Sequence, residues 1–520
     1  MNINTIKSYK SVHTWTGIIS GLLLYIGFVA GGMTLFKGPL NQWALQTDLN
    51  LPAIELAQYD TLIQQVLAEH PQSAKKLKIN LPEAFPQSAP VTWVIEDPQT
   101  HAVSQWHASL DEQGELMVRQ QSLSAVGEFI DVLHRTAGIP GGQGHDAIGT
   151  YILGIAAGLY FVALVSGVII FLPTWFKDLW SFRRGPNRKR YWLDFHNILG
   201  ISSLPFHLII ALTAFVFAFH DQLYGLLGAL VYQGEPMFTR QQPGDPFQFN
   251  QLLSVADITN AIKTLEPGFQ IREINFNRLD SAAPNALVGG VTYGELARGA
   301  EYSYVVINPY SGNIPFTSML PSHLNDYSQW VLSLFALHFG NYGGQWVRWI
   351  YFLLSVAGAL IFVTGNLLWI ESRRKKQKRN ASTPKQAKNT EVMARLTVGV
   401  CLGILLGISG ACLTAKWLPH DQYNISFWQQ FAYYVGFLAS IAWSFWRSPT
   451  NAALDLIAVN CIGYLALLLV SVTGLFTPGF AQVNITVALM SLVVLICLLV
   501  TLVRLKQRQK VQSGDSVWAT

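Results

Sequence analysis

The sequence predicts a membrane α-helical protein with about eight transmembrane helices, the first four of which form a tandem repeat. Three observations predict this class. Hydrophobic residues make up 51% of the 520 residues and charged residues only 12%, about half the charged share of a soluble domain. Eight apolar stretches are long enough to span a bilayer, which takes about 20 helical residues. Two histidine-containing phrases also occur twice along the chain.

The predicted spans alternate with loops of very different charge. They lie near residues 14–36, 149–173, 198–219, 346–370, 396–415, 427–446, 452–475 and 482–504. Lys and Arg gather at both termini, between Lys177 and Arg190, and between Arg373 and Arg379. Eight spans place all of these on one side, and basic loops remain cytoplasmic. We therefore expect cytoplasmic termini, a lipid bilayer as partner and no nucleic-acid partner, since the net charge of +5 reflects topology.

This topology divides the chain into membrane parts and two long outer loops. The predicted parts are helix 1 at 1–36, an outer domain at 37–145, helices 2 and 3 with a basic cytoplasmic loop at 146–219, a second outer domain at 220–342, helix 4 at 343–375, a basic cytoplasmic linker at 376–395, a C-terminal four-helix membrane module at 396–505 and a cytoplasmic tail at 506–520.

Each outer domain is predicted to be a small α+β unit. Residues 54–68 and 252–265 have helical periodicity, and residues 92–96, 108–116 and 302–313 predict strands and turns. The sequence Asn-Pro-Tyr-Ser-Gly at 308–312 is a turn signal, because Pro presets φ and Gly supplies the left-handed position. We expect a helix and an antiparallel sheet in each domain.

Two pairs of histidines occupy matching places in the repeat. Residues 133–143 (LHRTAGIPGGQ) and 337–345 (LHFGNYGGQ) contain His134 and His338, and each phrase precedes a long apolar helix. His13 and His196 open two further apolar helices. The helices after the two phrases carry small-Gly pairs, which are Ser166-Gly167 and Thr364-Gly365.

This pattern indicates two cofactor sites, one at each membrane face. A neutral imidazole is a good iron ligand, and two of them hold a six-coordinate b-type haem. Ionisable residues in a bilayer are costly and usually functional. The sequence therefore predicts two bis-His haem b groups, with His13 and His196 as iron ligands at the inner face and His134 and His338 at the outer face. No catalytic residue beyond these ligands is identified.

Other residues leave alternatives open. His207 follows His196 by eleven residues, and a straight helix would place it roughly 16 Å deeper on nearly the same face. It could replace one of the four ligands or handle protons, and His220 could also replace a ligand. Gly17 and Gly200 each follow a histidine by one turn, which would let a flat macrocycle approach the backbone or would serve helix packing.

Arginines also accompany the outer histidines. Arg135 is adjacent to His134, and Arg348 follows His338 by about three turns of helix. Their guanidinium groups could pair with haem propionates, or they could extend their charged ends to the membrane interface.

The strand-turn segments, the histidine-led helices and the LH-x-G motif of residues 337–340 resemble the PepSY-associated transmembrane family over residues 1 to about 375. The resemblance implies two PepSY-like periplasmic domains and the inner membrane of a Gram-negative bacterium. It also implies haem-dependent reduction of a ferric siderophore, Fe(III) to Fe(II), with electrons from a cytoplasmic donor or quinol. The aromatic candidates for holding the chelate, which could instead pack the sheet, are Trp93, Trp106, Tyr302, Tyr304 and Tyr310.

Two other functions stay open at this point. One is a quinol-linked cytochrome b that serves another periplasmic acceptor. The other is a haem-free binding or transport protein, in which the last four helices could form a pathway. These helices contain no histidine in any predicted span, and the sequence assigns them no chemistry.

Overall fold

The computed structural model describes most of the chain. The described residues are 3–45, 51–81, 89–96, 103–122, 125–141, 147–175, 183, 187–231, 233, 248–299, 301–377, 384–419, 423–477, 479–509 and 516–518. Gly142 and Gln143 of the first repeated phrase and most of the basic stretch from Lys177 to Arg190 lie outside these ranges.

Fifteen α-helices and seven strands are formed by the described residues. The helices are α1 Ile3–Thr34, α2 Lys37–Leu45, α3 Tyr59–Glu69, α4 Val126–Thr136, α5 Ile148–Phe171, α6 Arg188–Ser202, α7 Leu204–Ala218, α8 His220–Leu230, α9 Val255–Leu265, α10 Asp326–Phe339, α11 Gly344–Ser372, α12 Lys388–Trp417, α13 Ile425–Trp446, α14 Pro449–Gly474 and α15 Ala481–Gln509. The strands are β1 Lys76–Asn80, β2 Val91–Glu96, β3 Val103–Leu110, β4 Leu116–Ser122, β5 Phe269–Asn277, β6 Asn285–Thr292 and β7 Ser303–Ile307.

The chain divides into two compact units. The first, called the membrane unit below, contains Met1–Gln46, Ser124–Tyr224 and Arg348–Thr520, and the second, called the sheet unit, contains Thr47–Leu123 and Gly225–Val347. Each unit has its own apolar core. Helices α2 and α4, which fall within the predicted outer domain at 37–145, belong to the membrane unit.

The membrane unit contains a helix at each of the eight predicted positions. Among the described residues, six helices are long and apolar enough to cross a membrane, and a seventh span is possible if a bent pair counts as one. The helix at the sixth predicted position, α13, has 22 residues and is not among the six. The protein is thus a multi-pass membrane protein, and the number eight stays a prediction.

The bent pair changes the interpretation of His207. Helices α6 and α7 meet at an angle of 72°, with Ser203 between them and Pro205 in the first turn of α7. Proline has no N–H to donate and disfavours helical geometry in the residue before it. The straight-helix placement of His207, roughly 16 Å below His196 on the same face, is therefore wrong.

The sheet unit contains one seven-stranded antiparallel sheet in the order β4-β3-β2-β1-β5-β6-β7. Strands from the two outer segments, which the sequence suggested as separate small sheets, join because β1 pairs with β5 from Lys76 opposite Asn277 to Asn80 opposite Glu273. An unpaired strand edge exposes N–H and C=O groups, and this pairing satisfies them. Helices α3 and α9 bury apolar side chains in the same core as the strands, including Leu62, Val66, Ile258 and Ile262.

Candidate functional site

His13 and His196, predicted as a ligand pair, lie next to each other in the membrane unit. Their ring centroids are 6.1 Å apart and the ring planes are nearly perpendicular, at 80°. Metal–imidazole bonds are about 2.0–2.1 Å long, so two rings on opposite sides of one metal have centres about 6 Å apart. At this separation, His13 and His196 would be able to hold one haem iron between them.

The Nδ1 atom of each ring already has a partner on a neighbouring helix. His13 Nδ1 lies 2.8 Å from the Ala163 carbonyl oxygen of α5, and His196 Nδ1 lies 3.1 Å from the Thr364 hydroxyl of α11. A partner at one ring nitrogen fixes the orientation of the ring and leaves the other nitrogen for a metal. Both rings are therefore arranged to present Nε2.

The small-Gly pairs of the repeat lie against these same rings. A Cβ at Gly167 would be 3.0 Å from His13 Cε1, and a Cβ at Gly365 would be 3.6 Å from His196 Cε1. A methyl group at Gly167 would therefore displace the His13 ring by a few tenths of an ångström, because carbon atoms at optimal contact are about 3.5–4.0 Å apart. The other two glycines, Gly17 and Gly200, have nothing within 4 Å of a Cβ position among the described residues.

His134 is held in a similar way on α4. Its Nδ1 lies 2.8 Å from the Gly27 carbonyl oxygen of α1, and a Cβ at Gly31 would be 2.7 Å from the same nitrogen. Helix α4 ends two residues later, because Ala137 and Gly138 take positive φ angles of 52° and 72°. The repeated Gly-rich phrase therefore ends the helix just after the histidine.

His338 occupies the equivalent place at the end of α10 in the sheet unit. Helix α10 ends at Phe339, and Gly340 follows in the left-handed conformation with φ of 62°. The imidazole packs edge-on against Phe339 with ring centroids 5.2 Å apart. Its pairing with His134 on one haem stays a prediction.

The two alternative ligands differ from these histidines. His220 uses both nitrogens locally, since Nδ1 is 2.7 Å from the Phe217 carbonyl oxygen and Nε2 is 3.2 Å from Asp221 Oδ1. His207 is fully buried, and in the described part of the chain neither of its ring nitrogens has a hydrogen-bond partner. Its neighbours are aromatic, with Phe28 and Phe206 centroids at 5.4 and 5.2 Å.

Charged groups near the histidines form ion pairs. Arg135 Nε lies 3.2 Å from Asp131 Oδ2, one turn earlier on α4. Asp194, which is only 2% exposed, accepts from the backbone N–H, Nε and Nη2 of Arg183, each at 3.0 Å. Sequence reasoning missed this pair, although an acidic residue in a basic stretch two positions before His196 was a usable signal.

The aromatic candidates of the sheet unit mostly pack the sheet. Trp93 and Trp106 are opposite each other on β2 and β3 and stack with centroids 5.9 Å apart, Tyr304 stacks on Phe316 at 5.4 Å, and Tyr310 donates to the Leu279 carbonyl oxygen. Tyr302 donates to the buried Glu273 carboxylate. Within the described residues, each of these aromatic side chains already has a stacking or hydrogen-bond partner, so none of them is assigned to binding the chelate.

The face of the sheet opposite Trp93 and Trp106 carries polar groups. Lys78 on β1 pairs with Glu273 on β5 at 2.6 Å, and Asn275 donates to the same carboxylate at 2.7 Å. Burial and this carboxylate together raise the pKa of Tyr302 well above its usual value. On β3, burial lowers the pKa of His107 from 6.5 to about 4, despite a hydrogen bond with Gln121, so this imidazole is neutral near pH 7.

These observations define a multi-pass membrane protein whose membrane helices carry tethered histidines and whose hydrophilic segments form a mixed helix-and-sheet unit. Among the described residues there is no group of three or more His, Cys, Asp or Glu side chains that could hold a metal ion. The family model of the PepSY-associated TM region matches residues 10–372, and the chain belongs to this family. No curated protein matches the chain.

Proposed function

We propose that the protein is a di-haem b-type transmembrane oxidoreductase that passes electrons from the cytoplasmic side to a ferric siderophore in the periplasm. In this proposal the chain lies in the inner membrane of a Gram-negative bacterium with both termini in the cytoplasm. The donor is a cytoplasmic protein or quinol. The observation that carries the proposal is the geometry of His13 and His196.

Several features of this pair suit a bis-His haem. The centroid separation of 6.1 Å equals the separation of about 6 Å that two metal–imidazole bonds give. Each Nδ1 has a partner on a neighbouring helix, as is usual for metal-binding histidines.

The residues of the chain have distinct roles in this proposal. The bound haem supplies one-electron transfer between ferric and ferrous iron. The Ala163 carbonyl and the Thr364 hydroxyl orient the inner imidazoles, and the Gly27 carbonyl orients His134. Gly167 and Gly31 leave room for the rings of His13 and His134. Buried apolar side chains around the helices exclude water from this region.

The choice of a ferric siderophore as acceptor rests on the family resemblance. One electron reduces the chelated Fe(III) to Fe(II), and no bond to the siderophore needs to break in that step. Hard oxygen donors hold Fe(II) more weakly, so iron is released. Lys78, which is 38% exposed on the polar face of the sheet and pairs with the buried Glu273, is the residue of the sheet unit that we assign to contact with the chelate.

Absorbance spectra of the detergent-purified protein test the haem assignment. We expect sharp α and Soret bands after dithionite reduction and two haems per chain by the pyridine haemochrome method. His13→Ala and His196→Ala should each lose one haem. His220→Ala is the matched control and should keep both, since both nitrogens of His220 already have local partners.

A stopped-flow experiment tests the acceptor. The reduced protein is mixed with a ferric trihydroxamate or with ferric citrate, and reoxidation of the haem is followed. Reoxidation that is faster than autoxidation and rises with chelate concentration supports the proposal. A haem-free protein from haem-replete cells would overturn the redox function, whereas a haem protein that no ferric chelate reoxidises would overturn the acceptor alone.

A further inference from the structure

The C-terminal four helices, α12 to α15, lie outside the matched family region of residues 10–372 and have no role in the electron transfer proposed above. They are nevertheless packed tightly into the membrane unit. Tyr25 of α1 donates to the Cys401 carbonyl oxygen at 3.1 Å, and Asn366 of α11 donates to the Thr397 hydroxyl at 3.2 Å. Both contacts are buried.

Helix α13 packs closely against α12. Cβ atoms at Gly399, Gly403 and Gly407 would come within 2.6 to 3.1 Å of atoms on α13. The glycines recur every four residues, so they form one stripe along α12. This close approach fixes the rotation of α13 and the direction of its side chains.

Two tyrosines of α13 contact α4 and the turn that follows it. Tyr433 is fully buried, and its ring packs edge-on against Phe129 of α4 with centroids 5.3 Å apart. Tyr434 donates to the Gly138 carbonyl oxygen at 3.3 Å. These contacts flank His134, which lies between Phe129 and Gly138 in the sequence.

A second contact of the module supports α4 through α2. Lys416 at the end of α12 donates to the Trp43 carbonyl oxygen of α2 at 2.7 Å. On the other side of α2, Asn41 accepts from the Gly127 N–H of α4 at 2.8 Å and donates to Glu128 at 2.6 Å. Helix α4 has only 11 residues, and an isolated helix of that length is marginal in water.

We infer that the C-terminal module is a clamp that holds α4 in place and thereby positions the imidazole of His134. Tyr433 and Tyr434 are positioning residues: they touch α4 and its turn, not the imidazole itself. The inference rests on the proposed function only for the consequence at the haem, since the clamp itself is a set of protein contacts.

Two substitutions with a matched control test the clamp. Tyr433→Leu removes the ring that packs on Phe129, whereas Tyr433→Phe keeps it and loses a hydroxyl that has no partner in the described residues. Tyr464→Leu is the control, because Tyr464 is 1% exposed in α14 of the same module and its hydroxyl also has no partner in the described part of the chain. Hydrogen exchange of residues 126–136 is measured in the full-length protein, together with a redox titration of its haems.

We expect about tenfold faster exchange in α4 for Tyr433→Leu, with a shifted midpoint potential for the His134 haem and an unchanged one for the His13 haem. Tyr433→Phe should behave as the unsubstituted protein. Equal exchange in α4 for Tyr433→Leu and Tyr464→Leu would overturn the clamp, as would equal shifts of both haems. A protein without haem would contradict the proposed function, while the exchange data would still decide the clamp.

Discussion

Gly167 offers the sharpest test of the inner histidine pair, because its counterpart Gly365 provides a matched control. A Cβ at Gly167 would lie 3.0 Å from His13 Cε1 and 3.1 Å from Nδ1, whereas a Cβ at Gly365 would lie 3.6 and 3.9 Å from the same atoms of His196. The optimal distance between carbon atoms is about 3.5–4.0 Å. Gly167→Ala therefore overlaps the ring of His13, and Gly365→Ala makes an ordinary contact.

The size of this close contact predicts how much haem affinity should decrease in Gly167→Ala. To relieve this contact, the His13 ring must move away by a few tenths of an ångström. Its Nδ1 is 2.8 Å from the Ala163 carbonyl oxygen, and N–H···O bonds extend only to about 3.2 Å. Loss of such a partner to a metal-binding histidine typically lowers metal affinity about 10–100-fold. We expect a decrease in haem affinity of that order for Gly167→Ala and less than about twofold for Gly365→Ala.

The rate of haem transfer from the purified protein to excess apomyoglobin measures this difference. Both variants replace a glycine with alanine in the second half of a membrane helix, so general effects on helix stability are matched. Equal transfer rates for the two variants, or a faster rate for Gly365→Ala, would refute the assignment of His13 as a ligand held by α5.

Three other changes test the remaining histidines. Thr364→Val removes the hydroxyl beside His196 Nδ1 and should weaken haem binding about tenfold in the same transfer assay, whereas Thr364→Ser should restore it. His207→Leu should keep two haems by the pyridine haemochrome method, and loss of one haem would make His207 a ligand. The same variant should raise the free energy of unfolding by about 1–3 kcal/mol in urea titrations, because it removes a buried imidazole that has no hydrogen-bond partner in the described residues. Burial lowers the pKa of His107 from 6.5 to about 4 in the folded protein, so the unfolded chain takes up this proton at a higher pH. The free energy of unfolding of the sheet unit should therefore decrease by up to roughly 3 kcal/mol as pH falls from 6.5 to 4. Hydrogen exchange of β3, corrected for the pH dependence of intrinsic rates, should show this decrease. The same decrease in His107→Leu would contradict the assignment of the effect to His107.

The sequence predicted the positions of the membrane helices well because apolar length is a strong signal. It also predicted that His13 and His196 form a pair, and the structure places their rings 6.1 Å apart. The partners of the Nδ1 atoms could not be predicted in the same way. The Ala163 and Gly27 carbonyls are backbone groups, and any residue type could supply them.

Other features had signals that were not used. Pro205 marks the start of a new helix, but the largely apolar sequence on both sides of it concealed the bend of 72°. Residues 269–277 (FQIREINFN) alternate apolar and polar side chains over much of their length, as a strand does, yet no strand was predicted there. The pairing of β5 with β1 depends on contacts between residues far apart in the chain, which local periodicity does not reveal.

That pairing has a consequence for how the protein is made. β1 ends at Asn80 and β5 begins at Phe269, and α5, α6 and α7 lie between them in the chain. The central strand pair cannot form until those hydrophobic segments and the second hydrophilic segment have been synthesised. During synthesis the edge of β1 that will pair with β5 therefore stays unpaired. Unpaired strand edges are a common starting point for aggregation. We expect the nascent chain to depend on a chaperone during this interval, and a chain truncated after α5 to be degraded.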